Sequence, residues 1–155
     1  MATVRIQTSA FDTGAELAAL LAGRTDVGGI GCFVGVVRDS AGGQPILSMT
    51  LEHYPGMTER ALIAIAAEAE TRWDLQDCTV IHRHGRLLPG EPIVLVLTAS
   101  AHRQAALDAT AFLIDWLKTR APFWKQEEMA DGGVRWVEAH SADDAAAARW
   151  EKTGL

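Results

Sequence analysis

Apolar positions along the chain follow two periods: a spacing of two, which marks half-buried strands, and a spacing of three to four, which marks one face of a helix. Near the start, Val4 and Ile6 alternate with polar neighbours as a strand does. Thr13 and Glu16 stand at capping-box spacing ahead of Leu17, Leu20 and Leu21, and Gly23 supplies a stop. Ile30 to Val37 reads as a second strand, and Asp39 to Pro45 (DSAGGQP) as a flexible loop suited to act as a lid. The run ILSMTLEHY, residues 46 to 54, is a strand ended by Pro55-Gly56. Ala61, Leu62, Ile65, Ala66, Ala69 and Trp73 then follow at helical spacing. Cys78 to His84 and Ile93 to Thr98 read as strands that pair as neighbours, with the turn Leu88-Pro89-Gly90-Glu91 between them.

A long helix through Ala106, Leu107, Thr110, Leu113, Ile114 and Leu117, with Ser100 placed to cap it, stops at Ala121-Pro122 because a proline ring disfavours a helical residue before it. Phe123 to Glu128 leaves in another direction, Asp131-Gly132-Gly133 turns the chain, and Val134 to Ala139 returns as the second arm of a hairpin. Ser141 with Asp144 has the spacing to cap a last helix through Trp150. Strands in pairs between helices predict an α+β fold with a mixed or antiparallel sheet and flanking helices.

Composition narrows the class. With 155 residues, 48% of them hydrophobic, and no repeat or linker, the chain is expected to form a single domain over residues 1–155. No stretch reaches the length of a membrane helix and the start lacks the apolar core of a secretory signal, so a soluble, cytoplasmic protein with no membrane partner is expected. A net charge of −6 argues against nucleic acid, whose phosphates need a basic face. Cys32 and Cys78 have no metal-ligand spacing and are expected to be buried free thiols.

Against that acidic background the cations are unevenly placed. Of three lysines, Lys118 and Lys125 bracket the segment KTRAPFWK with Arg120 between them. Lys118 and Arg120 suit the negative end of a helix, which alone accounts for them. If the proline bend folds Lys125 back, two amines and a guanidinium converge, and like charge lowers a lysine pKa into the range of acid–base chemistry. Phe123-Trp124 beside them would then wall a planar ligand.

His102 and Arg103 open the same helix, where cations oppose the macrodipole unless an anion neutralises both. Arg38 ends a strand before the glycine-rich loop, within reach of a ligand at the strand edge. The run GGIGCFVG lacks dinucleotide-binding spacing. His82 and His84 share one face of a strand but do not make a metal site by themselves, and no metal or cofactor is expected. No serine-nucleophile motif occurs.

Three segments, LEHYPGM (Leu51 to Met57), Thr98 to Arg103, and above all LKTRAPFWK (Leu117 to Lys125), resemble the hallmark blocks of the molybdopterin synthase large-subunit family, and the similarity extends over nearly the whole chain. The resemblance implies an α/β hammerhead fold and a homodimer within a heterotetramer. In that assembly a small ubiquitin-like sulfur-carrier subunit docks at each end through a C-terminal Gly-Gly thiocarboxylate. It implies sulfur transfer to cyclic pyranopterin monophosphate, with Lys118 and Lys125 catalytic. Arg38, His102 and Arg103 would line the pterin-phosphate pocket, Arg120 would join the cation cluster, and Gln126 and Glu127 would extend the binding segment. Val36 stands where relatives can carry a lysine, and His84 where an apolar residue is expected. A noncatalytic adaptor for a ubiquitin-like tail, or a persulfide sulfurtransferase using Cys32 or Cys78, are the competing readings.

Overall fold

The computed structural model describes residues 2–137 and 141–151, Ser141 only by its backbone. In chain order the elements are β1 (Thr3–Gln7), α1 (Thr13–Leu21), β2 (Gly29–Val36), β3 (Ser40–Ala41), β4 (Gln44–His53), α2 (Met57–Trp73), β5 (Asp77–Arg83), β6 (Gly85–Leu87), β7 (Pro92–Ser100), α3 (Arg103–Thr119), β8 (Phe123–Met129), β9 (Val134–Trp136) and α4 (Ser141–Glu151). The fold is α+β.

The first sheet has the order β1-β5-β7-β2, parallel at β1–β5 and antiparallel elsewhere. Its central strand β7, PIVLVLTAS, is almost unbroken in apolar residues because both faces are covered. Val94 and Val96 face α2 and α3, where they meet Leu62, Ala66, Phe112 and Leu113. Leu95 and Leu97 face the other way, with Leu20 of α1 and Ile81. The expected pairing of the two strands now seen as β5 and β7 is borne out, in antiparallel register from Asp77↔Ala99 to His82↔Val94.

The helix α3 lies so close to β2 that a side chain at Gly31 would collide with it. A Cβ there would come within 2.2 Å of Thr110 Oγ1 and 2.5 Å of the Ala106 carbonyl.

The second sheet has the order β3-β4-β8-β9, with β6 also on β4, around a small core of Val37, Leu51, Leu87 and Ile93. Here the structure corrects several expectations. Asp39 to Pro45 is not an irregular loop: Ser40–Ala41 pairs with Gln44–Pro45 about Gly42 and Gly43, both at positive φ, which is tight-hairpin geometry. Arg135 Nη2 also donates to the Ala41 carbonyl at 3.1 Å. The strand predicted to run to His84 ends at Arg83, and β6 begins at Gly85, whose φ of 89° breaks the extended chain.

The α1 cap is Asp12, whose Oδ1 accepts from Ala15 N at 3.0 Å, rather than Thr13, and Glu16 pairs with Arg5. α3 is capped at His102 with no side-chain bond, while Ser100 Oγ accepts from His102 N before the helix begins. The hairpin of β8 and β9 forms as expected about residues 130–133. The proposed Ser141 cap and residues 138 and 139 lie outside the described residues. No described helix is long and apolar enough to cross a membrane.

Candidate functional site

Two of the sequence blocks meet in space, because β4 and β8 run antiparallel with Leu51 opposite Lys125 and His53 opposite Phe123. The junction is fixed by Thr58, fully buried at the start of α2. Its hydroxyl accepts from Tyr54 N at 3.0 Å and donates to the Pro122 carbonyl at 3.2 Å. Gly56, at φ 84°, lets the chain turn into α2, and Glu59 accepts from its amide. Tyr54 and Trp124 pack with ring centroids 4.3 Å apart. The proline bend after α3 is therefore held from both sides, and it sends β8 back past the end of the helix.

The bend brings Lys118 of α3 and Lys125 of β8 to one cleft of about 240 Å³. Its walls are Phe33 to Val36 of β2, Ile93 and Val94 of β7, and Ile114 and Leu117 of α3, with His82 of β5 beside the amines. Burial in these apolar walls, then the charge of Lys118 and a hydrogen bond shared with it, bring Lys125 down to about 8 from the usual 10.5, while Asp143 and Glu127 pull the other way. A lysine so placed exchanges protons near neutral pH.

His82 is buried, with its ring stacked on Phe123 at 3.8 Å between centroids and Nδ1 2.8 Å from the Arg83 carbonyl. Burial, reinforced by the charges of Lys125 and Lys118 and opposed by that carbonyl, pushes it down to about 3. The imidazole is neutral wherever the protein is folded near neutral pH. His84 does not share its strand face, since it lies in the link to β6 with its ring 4.3 Å from that of His53. No group of three or more His, Cys, Asp or Glu able to hold a metal occurs among the described residues.

The remaining candidates divide. Arg38, exposed, follows the end of β2 two residues beyond Val36 at the cleft rim. Glu127 is buried and pairs with Arg135 at 3.0 Å, yet its charge reaches Lys125. Strand alternation turns Gln126 to the face opposite Lys125.

Arg120 does not join the lysines: it pairs with Glu151 and lines a separate cavity among α2, α3 and α4, so the expected convergence is of two amines without the guanidinium. His102 and Arg103, both exposed, sit at the far end of α3, about 22 Å of helix rise from Lys118. The sequence gives no sign of Asp143, and it offers His82 only as half of a weak metal pair with His84 rather than as a neighbour of the lysines. The alternation from Val80 to His82 was a usable signal for an inward histidine, whereas nothing local marked Asp143.

Both thiols are free, but only one of them is buried as expected. Cys78 is fully buried and its thiol is pushed up to about 12, first by burial and then by Glu70 and Asp77, so it holds no thiolate near neutrality. Cys32 is exposed on β2 rather than buried. Neither lines the lysine cleft. Product formation by the Cys32→Ala, Cys78→Ala double variant is expected to stay within about twofold of wild type, measured as turnover on the same sulfur donor. Loss of turnover in a folded double variant would restore the persulfide reading.

Comparison with known proteins converges on one group. The family described as MoaE protein matches residues 6–120. The chain is 58% identical over 149 residues to the molybdopterin synthase catalytic subunit of Pseudomonas aeruginosa, covering 96% of this chain and 99% of the relative. Among solved structures, the molybdopterin biosynthesis MoaE protein of Burkholderia ambifaria superimposes with a TM-score of 0.82 at 54% identity, covering 97% of this chain and 99% of that one. A more distant fold match is the complex of subunits 1 and 2 of molybdopterin-converting factor from Helicobacter pylori. It has a TM-score of 0.70 at 22% identity, covering 89% of this chain and 90% of that one.

Proposed function

The chain belongs to the MoaE protein family, and from that premise we propose that it inserts sulfur during molybdopterin synthesis. The donor is the C-terminal thiocarboxylate of a small ubiquitin-like carrier subunit, and the acceptor is cyclic pyranopterin monophosphate. The observation that carries this reading is the meeting of Lys118 and Lys125 in one apolar-walled cleft, with Lys125 near 8. Lys118 holds and polarises the thiocarboxylate. Lys125 passes protons as the thiocarboxylate sulfur bonds to the pterin side chain and a C–O bond there breaks, its oxygen leaving protonated, after which water cleaves the acyl–sulfur bond and the carrier departs as a carboxylate. The two-subunit complex of the Helicobacter pylori relative supports a small-subunit partner.

The tail's route has a physical basis. Strand β2 is one of the two outer strands of its sheet among the described residues and borders the cleft, so an extended Gly-Gly terminus can add its backbone there and reach the amines. The pterin phosphate is assigned to Arg38, His102 and Arg103. The first turn of α3 holds no acidic residue and its cap makes no side-chain bond, leaving amide N–H groups and positive charge for an anion.

Arg38 lies by the lysine cleft, whereas His102 and Arg103 lie at the opposite end of α3, too far away in one chain for all of them to meet one small ligand. A homodimer resolves this if the α3 start of one protomer faces the lysine cleft of its partner.

Mixed with thiocarboxylated carrier subunit and cyclic pyranopterin monophosphate in a single turnover, the protein is expected to form the dithiolene pterin, followed by fluorescence after oxidation. Tight carrier binding with no product, under conditions where a known synthase works, would leave only the adaptor role.

A further inference from the structure

The roles given to Lys118 and Lys125 leave one polar cleft residue unused, His82. Its ring is held in two ways that have nothing to do with the lysines: the stack on Phe123, tilted by only 17°, and the contact of Nδ1 with the Arg83 carbonyl. A carbonyl only accepts, so Nδ1 carries the ring hydrogen and Nε2 keeps its lone pair. Nε2 has no hydrogen-bond partner among the described residues, and it is not a sealed atom: the only buried side-chain nitrogen or oxygen left unpaired among them is Gln76 Oε1. With the residue itself buried and lining the cleft that also holds Lys118 and Lys125, that lone pair is open to the cleft.

We propose that His82 is a positioning residue for the lysine pair: Nε2 is a fixed acceptor that an N–H of Lys125 reaches as its side chain turns within the shared cleft, and the contact keeps that amine aimed into it. This deepens the sulfur-transfer reading and rests on it for its functional meaning. A neutral acceptor suits the place, since a third cation would repel both amines and a carboxylate would undo the lowering of Lys125. The charged and titratable groups around the pair are Lys118 on α3, Lys125 and Glu127 on β8, His53 on β4 and Asp143 on α4, and none of them is altered by replacing His82.

The test is the side-chain NMR titration of Lys125 in the full chain without substrate. In His82→Phe, which keeps a ring against Phe123, the charged lysine loses an acceptor, and its midpoint is expected to fall by about one pH unit. In His82→Gln, whose amide oxygen lies near the place of Nε2, it is expected to return toward wild type. A packing role predicts the opposite sign, because a loosened cleft admits water and lifts Lys125 toward 10.5. That rise, an unmoved midpoint, or a failure of Gln to restore it would overturn the proposal.

Should His82→Phe not fold, nitrogen NMR of the wild-type imidazole decides the matter. Hydrogen on Nδ1, with an Nε2 resonance that moves in Lys125→Met, is expected; hydrogen on Nε2, or no movement, refutes it. Both readouts are taken without sulfur transfer, so their failure is distinct from a failure of wild-type product formation.

Discussion

Lys125→Met is expected to lower single-turnover sulfur transfer by about a hundredfold or more while making the folded protein more stable at pH 7. Both effects come from one cause. The lysine is held at about 8, below its ordinary 10.5, chiefly because its charge is buried and stands beside Lys118. Folding at pH 7 therefore carries an unfavourable charge that methionine, of similar length, does not.

The sign of the pH dependence follows from proton counting. Between about 8 and 10.5 the unfolded chain binds the lysine proton more strongly than the folded one, so wild-type stability gains from this group as pH rises through that window. The advantage of the methionine variant should thus be largest below about pH 8 and shrink toward pH 10.5, as read from urea midpoints at pH 7 and pH 10. Undiminished turnover in the variant would remove Lys125 from the proton transfers, and an unchanged midpoint would mean that its amine is solvated.

Mixing two dead proteins is expected to restore activity. Lys118→Ala removes an amine from the cleft, and Arg103→Ala removes a guanidinium from the far end of α3. If each site takes its lysines from one protomer and the α3 start from the other, a mixed dimer has one doubly damaged site and one intact site. Random reassortment then returns about a quarter of wild-type sites. The assay belongs at low pterin concentration, where Arg103→Ala, expected to act mainly through KM, is silent alone. If both residues served the same site from the same chain, neither site of the mixed dimer would be intact and no activity would return.

What could be read from the sequence divides along physical lines. The strand β7 and the helices α2 and α3 announce themselves because burial imposes long, regular periods on them. The meeting of Lys118 and Lys125 was foreseeable because a single proline, Pro122, has a local steric consequence. β6 was missed because three residues carry no period, and it exists only because β4 offers an edge and Gly85 permits the bend. Arg120 was misplaced because its side chain follows Glu151, a partner 31 positions along the chain that no local rule selects. An apolar strand suggests two covered faces and so a buried Cys32, whereas β2 is an outer strand and leaves that residue open.

The helix α3 is tied along its length to β2 and β7 by close contacts such as those at Gly31 and Gly29, and it offers an anion-binding start and an amine-bearing end. In a two-fold assembly of the kind proposed, it acts as a ruler: its length sets the separation of the two reaction centres, and its phase sets which way Lys118 points. One inserted residue would advance the end by about 1.5 Å and turn it by about 100°. The length of this segment from Arg103 to Lys118 is accordingly less free to drift than the composition of its outer face.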